Sequence, residues 1–254
     1  MIGQIASLWR HPVKGFTPER LTEAVLNAGG YFPCDRIYAV EDGPSGFEPA
    51  APAWTPKQRF TVLAKIAEVA RVRTAYDDSN GVLLAEAEGQ TDFRGALTES
   101  AGRDAFAAWL TLFLGEEARG PLRVVHAPGH RFTDHPAGHV SIVNLTSVRD
   151  LESKVGRTID PLRLRANLYV EGWPAWIEND VVGRHIRLGG ALARVFSPIV
   201  RCAATHVDPS SGERDFDLVG ALHDNFGHMN CGFYVSIDGD GAVVEGDKVQ
   251  LLDE

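Results

Sequence analysis

The chain has 254 residues, of which 44% are hydrophobic, and it carries 25 Lys and Arg against 34 Asp and Glu for a formal charge of -9. That length suffices for one large or two modest domains with a core that needs no covalent staples, and the acidic balance argues against a general nucleic-acid binder. Three cysteines at wide spacing, with no C-x-x-C pair, exclude a disulfide framework and the common zinc and iron–sulfur spacings. No segment reads as a signal peptide or membrane span, so a cytoplasmic protein with no membrane partner is expected.

In chain order, short strands are predicted at Ile2 to Arg10, Leu21 to Leu26, Arg36 to Val40 and Ala70 to Tyr76, separated by Pro, Gly and Asn turn signals. They suggest a small sheet or barrel. The stretch GPSGFEPAAPAWTP, residues 43–56, holds too much Pro and Gly for a regular element and reads as a surface loop. A helix is predicted from about Arg103 to Glu117, because Phe106, Trp109, Leu110 and Phe113 recur at i, i+3, i+4 and i+7; Ser100 or Thr98 is available as its cap. That aromatic stripe reads as a core-facing surface rather than a cofactor box. A composition change around Pro121 to His139 marks a seam, dividing the chain into 1–120 and 121–254.

A second helix is predicted from Thr146, as N-cap, to a stop at Gly156, with Leu151 and Val155 on one face. From Leu162 onward strands return in RLRANLYVEG, RHIRLGGALARVFSPIVRC, GFYVSID and AVVEGDKVQLL, the last two expected to form a hairpin through Gly239-Asp240-Gly241. The fold class expected is α+β, dominated by barrel-like sheet with two helices against it.

Several residues invite chemistry. His126, His130, His135 and His139 crowd one short segment, but Pro128, Gly129, Pro136 and Gly138 prevent the continuous helix that would put i and i+4 imidazoles on one metal, so a polar loop is the preferred reading. The acid pairs Asp77-Asp78 and Glu116-Glu117 read as solvated surface. No G-x-S-x-G elbow, Walker loop or G-x-G-x-x-G fingerprint occurs. Cys202 stands out in VRCAATHVDP, directly after Arg201 and before a polar turn. Positive charge nearby would favour its thiolate, whereas free cysteine is commonly a small buried hydrophobe. In a strand ending at Cys202, Arg201 would point to the opposite face, leaving the turn geometry, or Arg163 or Arg165 from a neighbouring strand, to bring charge to the sulfur.

The segments HPVKG and CDRIYAVED, then RLRANLYVEG, GRHIRLGGALARV, VRCAATHVDPSSGERD and CGFYVSIDGDGAVVEGDKVQLL, resemble in that order the MOSC domain proteins and their N-terminal β-barrel region. The family is named for the C-terminal domain of molybdenum cofactor sulfurases and includes amidoxime-reducing enzymes. In this sequence Gly15 stands where serine is usual and Cys34 where glycine is usual. The resemblance implies a β-barrel-like N-terminal region over 1–120 and a MOSC domain over 121–254. It implies a molybdenum cofactor whose metal is held by Cys202, with Lys14, Arg36, Arg165 and Asn167 holding the cofactor. Asn144, ahead of the second helix, is a further candidate, and Arg201 and Tyr234 are expected to shape the pocket.

The activity implied is reduction of an N-hydroxylated or other N- or S-oxygenated small molecule, with a carrier or sulfur-transfer module using Cys202 as the alternative. Some relatives carry a C-terminal iron–sulfur domain. This chain ends at Leu252-Asp253-Glu254 without a cysteine cluster, so electrons are expected from a separate reductase or iron–sulfur protein. Pyridoxal phosphate, the cofactor of the sulfurases' partner domain, has no recognisable lysine site here.

Overall fold

The computed structural model describes residues 1–136 and 140–252. Strand alternation builds its central feature, a closed barrel. Around it, Leu168–Glu171, Val140–Asn144, Asn230–Gly239, Ala191–Val200, His185–Leu188, Lys248–Leu251 and Ile2–Arg10 are successive neighbours, and Ile2–Arg10 pairs back to Leu168–Glu171. Only the Val140–Asn144 and Leu168–Glu171 pair is parallel. Closure leaves no open edge among these strands. The inward side chains, among them Ile5, Leu8, Ile142, Leu168, Ile186, Val195, Phe233 and Val249, form one buried cluster. Ile5 and Leu8 lie three apart, which strict alternation forbids on one face; a register shift between Ile5 and Ser7 turns both inward. The first strand of the chain thus closes a barrel otherwise built from residues beyond 121.

The N-terminal region contributes an antiparallel pair, Tyr38–Asp42 with Leu122–His126, and a three-stranded sheet of Arg73–Asp77, Val82–Glu86 and Phe93–Ala96. The expected strand at Arg36 begins two residues later, because Arg36 itself has φ 50 and cannot extend. Ala67–Arg71 forms a 3₁₀ turn, so the next strand starts at Arg73 rather than Ala70. The segment from Glu19 divides into Glu19–Leu21 on the barrel strand Ile2–Arg10 and Glu23–Leu26 on Gly241–Val244. Residues 43–56 form no regular element.

Among the described residues, three α-helices pack on these sheets. Helix α1, Ser100–Leu114, buries Phe106, Trp109, Leu110 and Leu114, with Phe106 5.9 Å from the Phe16 ring and 5.1 Å from Phe93. Glu99 occupies its N-cap without a side-chain bond, so neither Ser100 nor Thr98 caps it, and Gly115 at φ 51 ends it earlier than expected. Helix α2, Leu145–Val155, is capped by Asn144, whose Oδ1 accepts from the Thr146 amide at 3.1 Å, and stops at Gly156 with φ 68. The cap is therefore Asn144 rather than Thr146. Helix α3, Leu218–Phe226, was not apparent from apolar spacing; Asp217 caps it through the Gly220 amide. Leu151 of α2 and Leu222 of α3 share a cluster with Tyr169 on the outside of the barrel.

The closing hairpin is corrected. None of Gly239, Asp240 and Gly241 has the positive φ that a two-residue hairpin turn needs, so the chain continues extended. Gly241–Val244 pairs with Glu23–Leu26, and Lys248–Leu251 enters the barrel between Ile2–Arg10 and His185–Leu188. Among the described residues, no helix is long and apolar enough to cross a membrane.

Candidate functional site

At one end of the barrel the N-terminal region leans over the strand ends and leaves a cleft of about 270 Å³. Lys14, Arg36, Arg165, Asn167, Arg201, Cys202 and Tyr234 all line it, as do Lys57 and Asp134. The cleft therefore gathers residues from Lys14 to Tyr234, segments more than two hundred positions apart. Asn144 is not part of it. Its side chain is fully buried, capping α2 and donating from Nδ2 to the Pro174 carbonyl at 2.8 Å, which corrects its expected place among the cofactor residues.

Cys202 follows the strand Ala191–Val200 in extended conformation and precedes the 3₁₀ turn Ala203–His206. Thr205 satisfies the Cys202 carbonyl twice, from its amide at 3.0 Å and its Oγ1 at 2.9 Å, which fixes the turn and leaves the half-buried sulfur facing the cleft. Lys57 Nζ donates to Cys202 Sγ at 3.1 Å. Arg201 also borders the cleft, but its guanidinium is spent on backbone, donating to the Cys231 and Leu164 carbonyls. Arg163 is occupied with Asp208 and Asp215, at 2.8 and 2.7 Å. Hence the cation bonded to the sulfur is Lys57, while Arg201 and Arg163 are spent on other partners. Cys231, by contrast, is sealed in the core, where burial pushes its thiol up to about 12.

Six Lys and Arg side chains, Lys14, Arg36, Lys57, Arg163, Arg165 and Arg201, line this small volume. Lys14 is only 2% exposed; Nζ donates to the Phe132 carbonyl at 2.8 Å and to Asp134. Burial lowers its pKa, with Asp134 opposing that shift. Arg36 donates to Asp35 and, at 3.1 Å, to the Arg165 carbonyl. Arg165 adopts φ 51 at the end of the 3₁₀ turn Pro161–Leu164, and its buried Nη2 has no partner among the described residues. Burial, and then the like charge of Arg36, lower the Arg165 guanidinium to about 10. A cation held this way is arranged for an anion that the protein itself does not supply.

Asn167 lines the cleft, yet its polar atoms bind the fold: Oδ1 accepts from Ser141 Oγ at 2.9 Å and Nδ2 donates to the Trp9 carbonyl at 3.2 Å. Burial, followed by the Asp134 charge, raises the Tyr234 phenol. Asp134 lies between Lys14 and Lys57, 3.6 Å from the latter, and against partial desolvation the two lysines hold its carboxyl well below the usual range. Lys57 and Asp134 were invisible to the motif reading. Lys57 opens the 3₁₀ turn Lys57–Arg59 behind a Pro-rich run, and Asp134 sits in an irregular segment just before Pro136, so neither carries a periodic signal.

Beneath the cleft, Asp35 accepts from the His11 amide at 2.7 Å and pairs with Arg36, whose backbone, like that of Cys34 at φ 52, is left-handed. Cys34 thus keeps the conformation suited to the glycine usual at that position. Burial first, and then Arg165, lower the His11 imidazole to about 3, so it is neutral in the fold. Below pH 6.5 the unfolded chain gains a proton there that the native state refuses, and stability falls with acidification towards pH 3. Urea unfolding at pH 7 and pH 5 is expected to differ by about 2 kcal/mol from this group. A His11→Gln variant is expected to flatten that slope; an unchanged slope would assign it elsewhere.

The other histidines meet rings. His126 lies 4.8 Å from Tyr38, His130 5.1 Å from Phe47 and 4.9 Å from Phe132, and His135 5.5 Å from Phe196; His139 lies outside the described residues. Among the described residues no three His, Cys, Asp or Glu side chains converge as a metal-ligand set.

Comparison with known proteins matches residues 2–117 to the MOSC N-terminal beta barrel domain and residues 129–250 to the MOSC domain. Over 113 residues the chain is 34% identical to a molybdenum cofactor sulfurase of Anopheles gambiae, covering 40% of this chain and 14% of that protein. The YuaD protein of Bacillus subtilis matches over 98% of this chain and 94% of its own at 14% identity and a TM-score of 0.46. YiiM of Geobacillus stearothermophilus matches over 46% of this chain and 55% of its own at 18% identity and a TM-score of 0.37.

Proposed function

We propose, from the premise that this chain belongs to the MOSC family, that it binds a molybdenum–pterin cofactor and reduces N-hydroxylated or other N- or S-oxygenated small molecules with electrons from a separate protein. The carrying observation is the Cys202 sulfur, half-exposed in a basic cleft of an acidic chain and touched by Lys57.

The residues fit such a group. A soft thiolate suits a sulfur-ligated, high-valent metal, and Cys202 would be its protein ligand. The cofactor's phosphate would meet Arg165, whose buried Nη2 has no partner among the described residues, along with Arg36 and Lys14. When bound, the cofactor supplies the two-electron redox centre. The chain's own part is to orient and to hold protons. Releasing the substrate oxygen as water consumes two electrons and two protons, and Lys57, kept charged against its burial by Asp134 and Cys202, holds a proton at Nζ beside the sulfur.

The test supplies protein from a molybdenum-replete host with a reductase partner and a panel of N-hydroxylated compounds. Substrate-dependent reduction, lost in Cys202→Ala, is expected. A second reading, a cofactor carrier or sulfur-transfer module, is favoured by the same half-exposed sulfur, which Lys57 could hold as a persulfide. Cofactor loading with no reduction across the panel, or a persulfide on Cys202 that passes to an apo-enzyme, would decide for that reading.

A further inference from the structure

The chain between Phe47 and Phe60 is an arm anchored at both ends. Every residue from 48 to 59 is at least partly exposed, whereas Phe47 and Phe60 are 2% and 0% exposed. Both rings pack on Phe132, with centroids 4.9 and 5.5 Å away. Lys65 joins the same two ends, because its Nζ donates to Asp42 Oδ2 at 3.0 Å and to the Gln58 carbonyl at 2.9 Å. Pro49, Pro52 and Pro56 fix φ along the arm and stiffen it. Two of its side chains reach the cleft. Trp54, 41% exposed, donates from Nε1 to the Thr133 carbonyl at 3.2 Å, and Lys57 Nζ donates to Cys202 Sγ at 3.1 Å. Thr133 and Cys202 both line the cleft.

We infer that residues 48–57 are a latch on the cleft, fastened by Trp54 on Thr133 and hinged beside Phe47 and Phe60, which limits the size of what reaches Cys202. This inference rests on the reading of the cleft as a cofactor site and adds the way in. A volume of about 270 Å³ lies below the roughly 300–1,000 Å³ of sites that take small molecules, so a ligand of pterin size needs the arm lifted. The ends and the fastening differ in strength. Two buried rings and the shared Lys65 ammonium hold the ends. The Trp54 fastening is a single hydrogen bond from a partly exposed indole, enough to bias an open and closed equilibrium only about two- to tenfold. Lifting therefore breaks the Trp54 and Lys57 contacts and leaves the Phe132 packing intact. Closure returns Lys57 Nζ to the sulfur, so the motion that admits a ligand also sets the proton-holding group in place.

The test uses the full chain made in a host that lacks the cofactor, which leaves the sulfur free. Methyl methanethiosulfonate and a biotinylated methanethiosulfonate, both uncharged, share one reactive group and differ in size. The influence of Lys57 on the sulfur therefore cancels in the ratio of the bulky to the small reagent's rate, read at each cysteine by peptide mass spectrometry. At Cys202 of the native chain that ratio is expected to fall at least about fivefold below its value for the same chain unfolded in urea. Trp54→Ala is expected to raise it about fivefold and to leave the ratio unchanged at half-buried Cys34, which lies against Asp78. Trp54→Phe, which keeps a ring and loses only the Nε1 donor, is expected to raise it about two- to threefold. A native ratio equal to that in urea overturns the inference, as does a Trp54→Ala ratio equal to the native one. A rise matched at Cys34 overturns it too, because that marks general loosening. The readout uses no molybdenum. A chain gated in this way that never retains metal contradicts the proposed function alone, and a metal-retaining chain whose ratio is unaltered in Trp54→Ala contradicts this inference alone.

Discussion

Replacing Arg165 with methionine is expected to weaken binding of phenyl phosphate roughly thirtyfold while leaving the fold as stable as before, or more stable by about 1–3 kcal/mol. The two effects have one cause. The guanidinium has a buried Nη2 with no partner among the described residues, and burial followed by the like charge of Arg36 lowers its pKa to about 10, which the charges of Asp134 and Asp35 offset only in part. Removing it relieves the fold and deprives an anion of its charge-assisted hydrogen bond, worth about 2 kcal/mol. The Arg165 carbonyl, which accepts from Arg36, is retained in the variant. Urea denaturation and calorimetry on the same preparation give both numbers. Lower stability with unchanged phosphate affinity would make Arg165 a structural residue and remove the anion from the account.

Gly15→Ser, which restores the residue usual at this place in the family, is expected to destabilise the protein by roughly 3–4 kcal/mol. Gly15 has φ 91, and a Cβ there would lie 2.6 Å from the Thr61 carbonyl oxygen and 3.1 Å from Val62 Cα, both backbone atoms. The turn presents Lys14 to the cleft, so relief of the clash would move that lysine as well. Gly43→Ala separates the contributions: at φ 86 with nothing within 4 Å, it is expected to lose only about 1–2 kcal/mol. A Gly15→Ser protein as stable as the native chain would show that the backbone around Lys14 is freer than its close packing implies.

Much of the cleft was legible because its residues sit at the ends of strands whose alternation the sequence states openly. Arg201 and Cys202 both border the cleft at the end of one strand, Arg201 with its guanidinium bonded to the Leu164 and Cys231 carbonyls and Cys202 with its sulfur bonded by Lys57. Helix α1 announced itself through Phe106, Trp109 and Leu110. Lys57 and Asp134 had no such signal: neither belongs to a periodic element, and each matters only because tertiary folding brings distant loops over the barrel end. Helix α3 is nine residues long, too short for periodicity to stand out. Asn144 was misplaced because an N-cap and an anion ligand use the same backbone amides, and here its own side chain takes them. The expected hairpin failed for a local reason, since Gly and Asp permit positive φ without requiring it.

Molybdenum content per chain, measured on native protein and on Cys202→Ser made side by side in a molybdenum-replete host, tests the central claim most directly. Serine keeps the size and the polar turn but replaces the soft sulfur donor with a hard oxygen. The account predicts roughly one metal per native chain and less than about a tenth of that in the variant, with both proteins melting alike. Equal molybdenum in the two would contradict it.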